Sequence, residues 1–300
     1  MTNLESKLIG ISSAIKKIRR DIPKLAKLHV HIVVQGEKGT GRRLISHLIH
    51  ETSGTGGALA VYSASVHTDL DLKELEKKIK SNVSTVLFQD LEDFSFLHQA
   101  LICRIIKNLP RKPFVRVIVT IKGKPEKLNR DRKLTDEIVK ILNHFEQVTL
   151  SPLKSRTEDI PSLAEYFIAH ACNSIGASVK AININTLDYL VMNDWAGNVG
   201  ELRSVVERSV LSSEGDTVEL PDDLIDEQVQ LEQMLLNIRA RKKFSFDSML
   251  SMVEKALIQK ALDAVSYNQT KAADILNISE QNLRYRMKKF HLLPSRKRQG

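Results

Sequence analysis

The sequence predicts a three-layer α/β domain, then an all-α section, and finally a small all-α helix-turn-helix domain. In the first part, helical patterns alternate with short apolar runs, which is typical of a parallel sheet covered by helices on both faces. No strand pattern follows Pro152, where only helical periodicity continues. The chain then ends in a short helix, a turn and a second amphipathic helix.

Four apolar runs in the first 150 residues are the candidate strands. Each is short, and a helical pattern separates it from the next, as expected when crossover helices connect parallel strands. The runs cover residues 31–36, 58–64, 83–90 and 114–121. We therefore expect an α/β core over residues 1–152.

Residues 153–222 are expected to form a separate helical section. Pro152 and Pro161 bracket the turn into it, and amphipathic helical patterns follow. Residues 223–245 are rich in charged side chains, so we interpret them as a linker. Residues 246–300 form the last predicted domain.

Charge is distributed unevenly along the 300 residues. Residues 239–300 contain 14 Lys or Arg and 5 Asp or Glu, so this part carries the whole net charge of +9. A basic module on an electrically neutral body is typical of a segment that binds a polyanion, because neutralising phosphates releases counterions. Charge alone leaves a solvated basic tail as the alternative.

The composition also bears on other kinds of site. Cys103 and Cys172 lie far apart and no Cys/His cluster has metal-ligand spacing, so neither a disulfide framework nor a metal site is predicted. The nine histidines show no pairing that indicates catalysis, and no catalytic residue is assigned. No apolar run reaches the ~20 residues that span a bilayer, so we expect a cytoplasmic protein without a membrane partner.

The C-terminal domain carries the pattern of a helix-turn-helix unit. Asn268 or Thr270 can cap a short first helix, and Ser279 is a good N-cap for the final helix, which is predicted over residues 280–293. Asn277 lies in the turn between the two helices. A preceding helix is expected over residues 246–265, with one apolar face made by Met249, Met252, Val253, Ala256, Leu257, Ala261 and Leu262.

The final helix has an apolar face and a basic face. Leu283, Met287 and Phe290 are spaced i, i+4 and i+7, so we predict that they face inward. The candidate contacts to double-stranded DNA are Gln281, Asn282, Arg284, Tyr285, Arg286, Lys288 and Lys289. The N-terminal part of a recognition helix meets base edges, so the first four are expected at bases or sugars and the last three at phosphates. An ordinary helical hairpin with a solvated basic face is the alternative.

The chain resembles a known family over most of its length. The string KAADILNISEQNLRYRMKKFHL (271–292) resembles the Fis-type DNA-binding domain of NtrC-type sigma-54-dependent activators. Residues 8–220 resemble their AAA+ domain: VVQGEKGTGRRLISHLIH stands at the phosphate-binding (P-loop) position, SPLKSRTEDIPSLAEYFI at the linker to the lid, and DWAGNVGELRSVVERSVLSS at the lid helix. The resemblance implies an AAA+-like P-loop core with a helical lid.

The resemblance also implies partners and control. Fis-type modules usually act as dimers, so a homodimer or higher oligomer is expected, with the helix over residues 246–265 as its interface. RNA polymerase or a related activator is a further expected partner. We expect no receiver domain before the AAA+-like part, so control is expected to come from a partner, from abundance or from this part itself.

The phosphate-binding loop departs from the pattern G-x-x-x-x-G-K-[ST] of the family. Arg42 stands at the lysine position, and Arg43 follows where the activators usually have an acidic residue. The planar fork of an arginine does not substitute for the compact ammonium that meets nucleotide phosphates. We assign no cofactor, and keep as an alternative an ATP or ADP site that retains Gly36, Gly39, Thr40, Gly41, Arg42, Arg43 and Asp90.

The acidic motif and the lid depart from the family as well. Asp90 aligns with the aspartate that holds magnesium, but Leu91 replaces the glutamate that polarises the attacking water. Glu92 comes one residue late and is expected to point off the strand in another direction. Lys122 stands at the sensor asparagine position, and Gly200 replaces the lid arginine that reaches the γ-phosphate. The segment LTDEIVKIL, at the arginine-finger position, contains no arginine.

Two further segments complete the comparison with the family. The insertion that grips sigma-54 is shortened, since only about 20 residues join Ser65 to Thr85 and none of them forms the Gly-Ala-Phe-Thr-Gly-Ala motif. At the start of the lid helix, we expect Trp195 to pack and Asn198 to cap the helix.

Three functions remain open. The favoured one is a sequence-specific DNA-binding transcriptional regulator, bacterial and nucleoid-associated, whose AAA+-like body is a degenerate ATPase that neither hydrolyses ATP nor remodels sigma-54 polymerase. The second is an AAA+ activator that binds or hydrolyses ATP. The third is a protein that antagonises true activators by mixed assembly.

Overall fold

The computed structural model describes residues 4–66, 77, 82–109, 114–213 and 215–221, and near the C-terminus residues 254–255, 257–262, 264–265, 267–290 and 292. The chain divides into two compact units, Met1–Pro221 and Asp222–Gly300. The narrower domain limits predicted from the sequence stay predictions.

The first unit is built on a five-stranded parallel sheet. The strands are β1 Ile32–Gln35, β2 Ala58–Ser63, β3 Val83–Gln89, β4 Arg116–Ile121 and β5 Glu146–Thr149. Their spatial order is β2-β3-β4-β1-β5, and all neighbours are parallel. The first four strands confirm the predicted apolar runs. Strand β5 is not predicted, because it lies at the sheet edge and only Val148 of its four residues is buried.

Helices cover both faces of this sheet, which confirms the three-layer arrangement. In the part of the chain that the structure describes up to β5, they are α1 Leu4–Lys7, α2 Ser13–Lys27, α3 Arg42–Ser53, α4 Phe96–Asn108, α5 Pro125–Arg130 and α6 Asp136–Leu142. Side chains of α2 and α3 pack in one apolar cluster, and those of α4 to α6 pack in another. Residues of one strand alternate between the two clusters: Ile32 and Val34 face α3, and Val33 faces α4.

The remainder of the first unit is a helical lid. Its helices are α7 Ile160–Ser174, α8 Ile184–Met192 and α9 Asn198–Ser212. Two parallel strands, β6 Ala181–Ile182 and β7 Thr217–Val218, also pair here, so the expectation of a section without strands is wrong at these four residues. Strands of two residues are too short to show the alternation by which a strand is recognised.

The second unit contains the predicted helix pair, α10 Gln269–Ile275 and α11 Glu280–Lys289. Its buried core consists of Ile258, Ala261, Leu262, Ala272, Ala273, Leu283 and Met287, with Phe290 partly buried beside it. The predicted inward face of the final helix is therefore confirmed. That helix ends at Lys289 rather than at residue 293 as predicted. Just beyond its end, the N–H of Leu292 donates a hydrogen bond to the carbonyl of Met287.

The preceding helix is described only from residue 254 onward. Ala261 and Leu262 are buried as predicted, but Leu257 is 54% exposed, so its predicted burial is wrong. The inward face runs through Ile258 instead, one residue later, and continues through Ala261 and Leu262. The other predicted positions of this face, Met249, Met252, Val253 and Ala256, lie outside the described residues.

Three predicted absences can be compared with the described residues. Cys103 and Cys172 are both free and buried, as expected for small apolar side chains, and burial raises the pKa of Cys103 to about 11. Among the described residues, no cluster of His, Cys, Asp and Glu could hold a metal ion. In the same part of the chain, no helix combines the length and apolar character needed to cross a membrane.

Candidate functional sites

The glycine loop joins the end of β1 to the start of α3. Gly39 and Gly41 have φ angles of 80° and 106°, in the left-handed region that glycine adopts at little cost. Buried Thr40 donates its hydroxyl to the carbonyl of Glu37 at 2.7 Å, and a Cβ at Gly36 would lie 2.8 Å from that hydroxyl. The loop thus keeps a compact turn at a helix N-terminus, where backbone amides favour an anion.

Arg42, the first residue of α3, turns its guanidinium toward the acidic residues that follow β3. Its side chain is only 6% exposed, and Nη2 lies 2.8 Å from Asp90 Oδ1. Nη1 lies 4.0 Å from Glu92 Oε1. Asp90 is 39% exposed, so the pair is partly desolvated. The positive charge at the start of α3 is therefore neutralised from within the protein, whereas the next residue, Arg43, is exposed.

Glu92 lies in this cluster, so the expectation that it points elsewhere is wrong. The strand ends at Gln89, and residues Leu91–Asp93 form a 3-10 turn. This turn, rather than strand geometry, directs the Glu92 side chain inward, where it is 1% exposed. Its Oε1 accepts the backbone N–H of Lys122 at 3.1 Å and lies 3.7 Å from Lys122 Nζ.

Burial and neighbouring charges shift the pKa values of two residues in this cluster, Glu92 and Lys122. Burial raises the pKa of Glu92, and the Asp90 charge adds to this effect, while Lys122 and Arg42 oppose it. Burial alone lowers the pKa of Lys122, but its 3.0 Å bonds to Asp93 and the nearby carboxylates outweigh burial, and the net pKa is raised. Within this cluster, the buried atoms Arg42 Nη1 and Glu92 Oε2 have no hydrogen-bond partner.

The start of lid helix α9 lies directly on the glycine loop. The N–H of Gly200 donates to the carbonyl of Gly39 at 3.2 Å. A Cβ on Gly39 would lie 1.9 Å from the carbonyl oxygen of Gly197, so the close approach requires glycine there. The lid and the loop therefore meet backbone to backbone.

Asn198 bridges the loop and the lid, and the expectation that it caps α9 is wrong. Its Oδ1 accepts the N–H of Leu153 at 2.7 Å, and its Nδ2 donates to the carbonyl of Lys38 at 3.0 Å. The N–H of Gly197 is satisfied instead by Glu201, one turn later. The left-handed φ of Asn198, 56°, turns its side chain to the loop.

Trp195 confirms the predicted packing role. It is buried and donates its indole N–H to the carbonyl of Leu190 at 2.6 Å. A buried Trp with its N–H bonded supplies a large apolar surface at no polar cost.

A buried ion pair that sequence reasoning missed also joins the lid linker to the loop. Arg156 donates to the carbonyl of Thr40 at 3.2 Å and to Asp159 at 3.4 Å. Asp159 also accepts the N–H groups of Ile11 and Ser12 at 2.6 and 2.7 Å. The only local signal is an Arg and an Asp three residues apart, which does not identify partners more than 100 positions away.

In the second unit, the helix caps and the turn between the two helices agree with the prediction from the sequence. The side chain of Asn268, rather than Thr270, caps α10 by accepting the N–H of Lys271 at 3.1 Å. Ser279 caps α11 by accepting the N–H of Asn282 at 3.2 Å. Asn277 has a left-handed φ of 51°, which Asn tolerates better than most residues. The caps Asn268 and Ser279 set the starts of α10 and α11, respectively.

None of the seven candidate DNA contacts belongs to the apolar core of the module. Arg286 is half-buried, and the exposed ones are Gln281, Asn282, Arg284, Tyr285, Lys288 and Lys289. Arg284 is held at the surface by an ion pair with Glu280 and by a 3.0 Å bond to Gln269. Contact of these residues with DNA stays a prediction.

Three known families match successive parts of the chain. The sigma-54 interaction domain matches residues 9–153, the AAA+ ATPase lid domain residues 154–234, and the bacterial regulatory protein Fis family residues 249–290. The transcriptional regulator NtrC of Proteus hauseri is 26% identical over 74% of this chain and 52% of its own length. This chain belongs to the NtrC-type family of sigma-54-dependent transcriptional regulators.

Two other relatives of this NtrC-type chain align with nearly its whole length. It is 27% identical to the phenol regulator MopR of Acinetobacter guillouiae and 25% identical to the nitrogen fixation protein AnfA of Azotobacter vinelandii. Each alignment covers 95% of this chain, and 56% and 57% of those two proteins. The chain thus spans about half the length of the curated relatives it matches.

Solved structures show the same fold. NtrX from Brucella abortus, crystallised with ATP, is 20% identical with a TM-score of 0.63, over 96% of this chain and 71% of that one. Domain III of the replication initiation protein DnaA from Thermotoga maritima is 12% identical with a TM-score of 0.52, over 70% of this chain and 89% of that one. These similarities support the AAA+ type of sheet and lid.

The nucleotide site of an NtrC-type regulator can now be compared with the residues present. The turn of the glycine loop fits an anion, because Gly39 and Gly41 have left-handed φ angles and the loop leads into the N-terminus of α3. Arg42 is paired with Asp90, so neither charge is available to a ligand while the ion pair is intact. Leu91 is fully buried in the apolar core, and Gly200 has no side chain to reach a phosphate. The loop fits a phosphate, whereas the charged groups around it do not fit magnesium and ATP.

Proposed function

We propose that this chain is a sequence-specific DNA-binding transcriptional regulator whose AAA+ domain neither hydrolyses ATP nor remodels the sigma-54 polymerase. The helix-turn-helix module selects the DNA site. The AAA+ domain acts as a scaffold for self-association or for binding a partner.

The observation that carries this proposal is the pair between Arg42 and Asp90. ATP hydrolysis in this family uses a cation on the phosphates and a carboxylate on magnesium. Here these two positions bind each other at 2.8 Å, so a nucleotide has to break the pair before it can use either group. Buried Leu91 supplies no carboxylate for the attacking water even then.

The absence of sigma-54 remodelling is supported by the sequence between β2 and β3. Only 19 residues separate Ser65 from Thr85, and none of them forms the motif with which activators grip sigma-54. A chain without that motif binds its DNA site without driving the polymerase open.

Partners and location form part of the proposal. Double-stranded DNA is the principal partner, bound by a homodimer or a higher oligomer, and RNA polymerase or a related activator is the expected protein partner. The protein acts in the bacterial cytoplasm, associated with the nucleoid. The proposed domains are an α/β core at 1–152, a lid at 153–222, a linker at 223–245 and the DNA-binding domain at 246–300.

The ATPase part of the proposal is tested with three purified full-length proteins. We expect no phosphate release above background from wild type, from Asp90→Asn or from Asp131→Asn, an exposed matched control. ATP turnover that Asp90→Asn abolishes and Asp131→Asn retains would overturn the proposal in favour of an active ATPase.

The DNA part is tested by selection from a random duplex library with the same full chain. We expect one recurring sequence, with inverted half-sites if the module binds as a dimer. Binding without any sequence preference, together with co-purification of an NtrC-type activator, would favour the antagonist instead.

A further inference from the structure

The recognition helix α11 has two polar faces with different surroundings. The outer face, spaced i, i+3, i+4 and i+7, consists of Gln281, Arg284, Tyr285 and Lys288, all exposed. The brace face, spaced i, i+4 and i+7, consists of Asn282, Arg286 and Lys289. The sequence alone assigns both faces to DNA.

The brace face is bound to a carboxylate of an earlier helical residue, Glu254. Glu254 Oε1 pairs with Arg286 Nη1, and Glu254 Oε2 lies 3.6 Å from Lys289 Nζ. Arg286 also donates its Nε–H to Asn282 Oδ1 at 2.9 Å. A chain of bonds therefore runs from Glu254 through Arg286 to Asn282, at the N-terminal end of the recognition helix.

The burial of this chain of bonds argues against a phosphate contact. Arg286 and Glu254 are both partly buried, whereas Lys288 is exposed. If Arg286 moved to a phosphate, it would lose its bonds to Glu254 and Asn282 and would leave a partly buried carboxylate without its main partner. The outer-face cations cost less to use, because Lys288 is exposed and the pair of Arg284 with Glu280 is more solvated: these side chains are 63% and 38% exposed, against 35% and 24% for Arg286 and Glu254.

We infer that Arg286 is a positioning residue that Glu254 holds in place, and that it orients Asn282 for reading a base edge. Direct contacts to DNA come from the outer face and from Asn282. The inference rests on the DNA-binding function proposed above, and it changes the phosphate-contact role that the sequence predicts for Arg286. Glu254 becomes a determinant of sequence specificity that touches no DNA.

The test uses the full chain and two duplexes: its preferred duplex selected from a random library, and a scrambled duplex of equal composition. Glu254→Gln and Arg286→Gln are each expected to weaken binding to the preferred duplex about tenfold, the size of one well-oriented base contact. Affinity for the scrambled duplex and its salt dependence should stay unchanged. The double variant should bind no more weakly than either single variant.

Two controls separate positioning from charge and from folding. Asp274→Asn removes an exposed carboxylate of α10 and should leave the ratio of the two affinities unchanged. Arg286→Lys keeps the charge but cannot bond Glu254 and Asn282 together, so it should behave like Arg286→Gln. Thermal unfolding of each variant verifies that the module is folded.

Three outcomes count against the inference. Equal weakening on both duplexes by Arg286→Gln, with the salt slope reduced by about one, identifies a phosphate contact. Retention of wild-type binding by Arg286→Lys, or unchanged or tighter preferred-duplex binding by Glu254→Gln, also overturns it. If wild type selects no preferred duplex, the DNA-binding function itself is wrong, and the inference falls with it.

Discussion

At the scale of single residues, Arg42 shows how a phosphate-binding loop can be neutralised by its own protein. A lysine at the start of α3 would present a compact charge to a ligand, whereas the longer planar guanidinium reaches Asp90 at 2.8 Å. Glu92 and Lys122 complete the cluster, and each of these charges has an opposite charge within 4.0 Å. The cluster therefore needs no bound ion to balance most of its charge.

Glu92 makes this cluster sensitive to pH. Its folded-state pKa is raised above the unfolded value, mainly by burial, so its ionised form costs folding free energy at pH values above the folded pKa. Below the unfolded pKa of about 4.3 the cost disappears. Glu92→Gln keeps an oxygen for the N–H of Lys122, so we expect a higher midpoint of thermal unfolding near pH 8 and no gain near pH 4.

The matched control for this prediction is Glu165→Gln, on the exposed side of α7. Its midpoint should follow wild type at every pH in a series of melting curves. A Glu92→Gln variant that is destabilised near pH 8 would show that the ion pairs with Arg42 and Lys122 outweigh burial.

At the scale of elements, the contact between the glycine loop and helix α9 joins the α/β core to the lid. The two backbones touch at Gly39 and Gly200, and Asn198 and Arg156 add side-chain bonds on either side. All these bonds are made by the chain itself. The lid is therefore held on the loop by both backbone and side-chain hydrogen bonds.

Gly39→Ala tests this contact. The new Cβ would lie 1.9 Å from the carbonyl of Gly197, so the start of α9 has to move. Gly54→Ala is the control, because Gly54 also has a positive φ, 60°, but nothing within 4 Å of its Cβ position. Both variants lose stability because alanine is strained at a positive φ. We expect Gly39→Ala to lower the free energy of unfolding by about 1–3 kcal/mol more than Gly54→Ala, as measured by chemical denaturation. Equal losses of stability in the two variants would show that the start of α9 can move away from the loop at no energetic cost.

Arg284→Ala tests the outer face of α11. Arg284 is exposed and is held in place by Glu280 and Gln269, as suits a side chain presented to a base edge. We expect affinity for the preferred duplex to fall by about 1–3 kcal/mol in a binding titration. Lys140→Ala, an exposed cation of α6 in the other unit, should change nothing. Equal losses on scrambled DNA would show that Arg284 touches only phosphates.

At the scale of the whole molecule, the chain consists of two compact units with different tasks. The first carries the sheet and the lid, and the second carries the recognition helix. Each has its own apolar core, in clusters that share no residue. Each unit is therefore expected to unfold as a cooperative body of its own.

Calorimetry of the full chain should show two unfolding transitions. Excess preferred duplex should raise only the transition of the second unit, by about 2.7 kcal/mol in stability at a hundredfold excess over the dissociation constant. The scrambled duplex is the control and should raise it less. A single transition that DNA shifts as a whole would contradict independent units.

Local patterns were enough to predict much of this protein. Four of the five core strands, the caps Asn268 and Ser279 and the inward face of α11 follow from neighbours within a few residues, because hydrogen bonding and side-chain periodicity act over that range. The resemblance to the family also led to the prediction that Arg42 and Leu91 stand where the family has a lysine and a glutamate.

Only the tertiary structure decided what these replacements do. Arg42 pairs with Asp90, and Asn198 bonds to the glycine loop, although these residues are distant in sequence. An irregular turn directs Glu92 toward the same cluster. Such contacts depend on how strands and helices pack, and no local pattern encodes their distances. The sequence by itself predicted a DNA-binding module and placed Arg42 at the lysine position of the glycine loop, and only the packing determined that Arg42 pairs with Asp90.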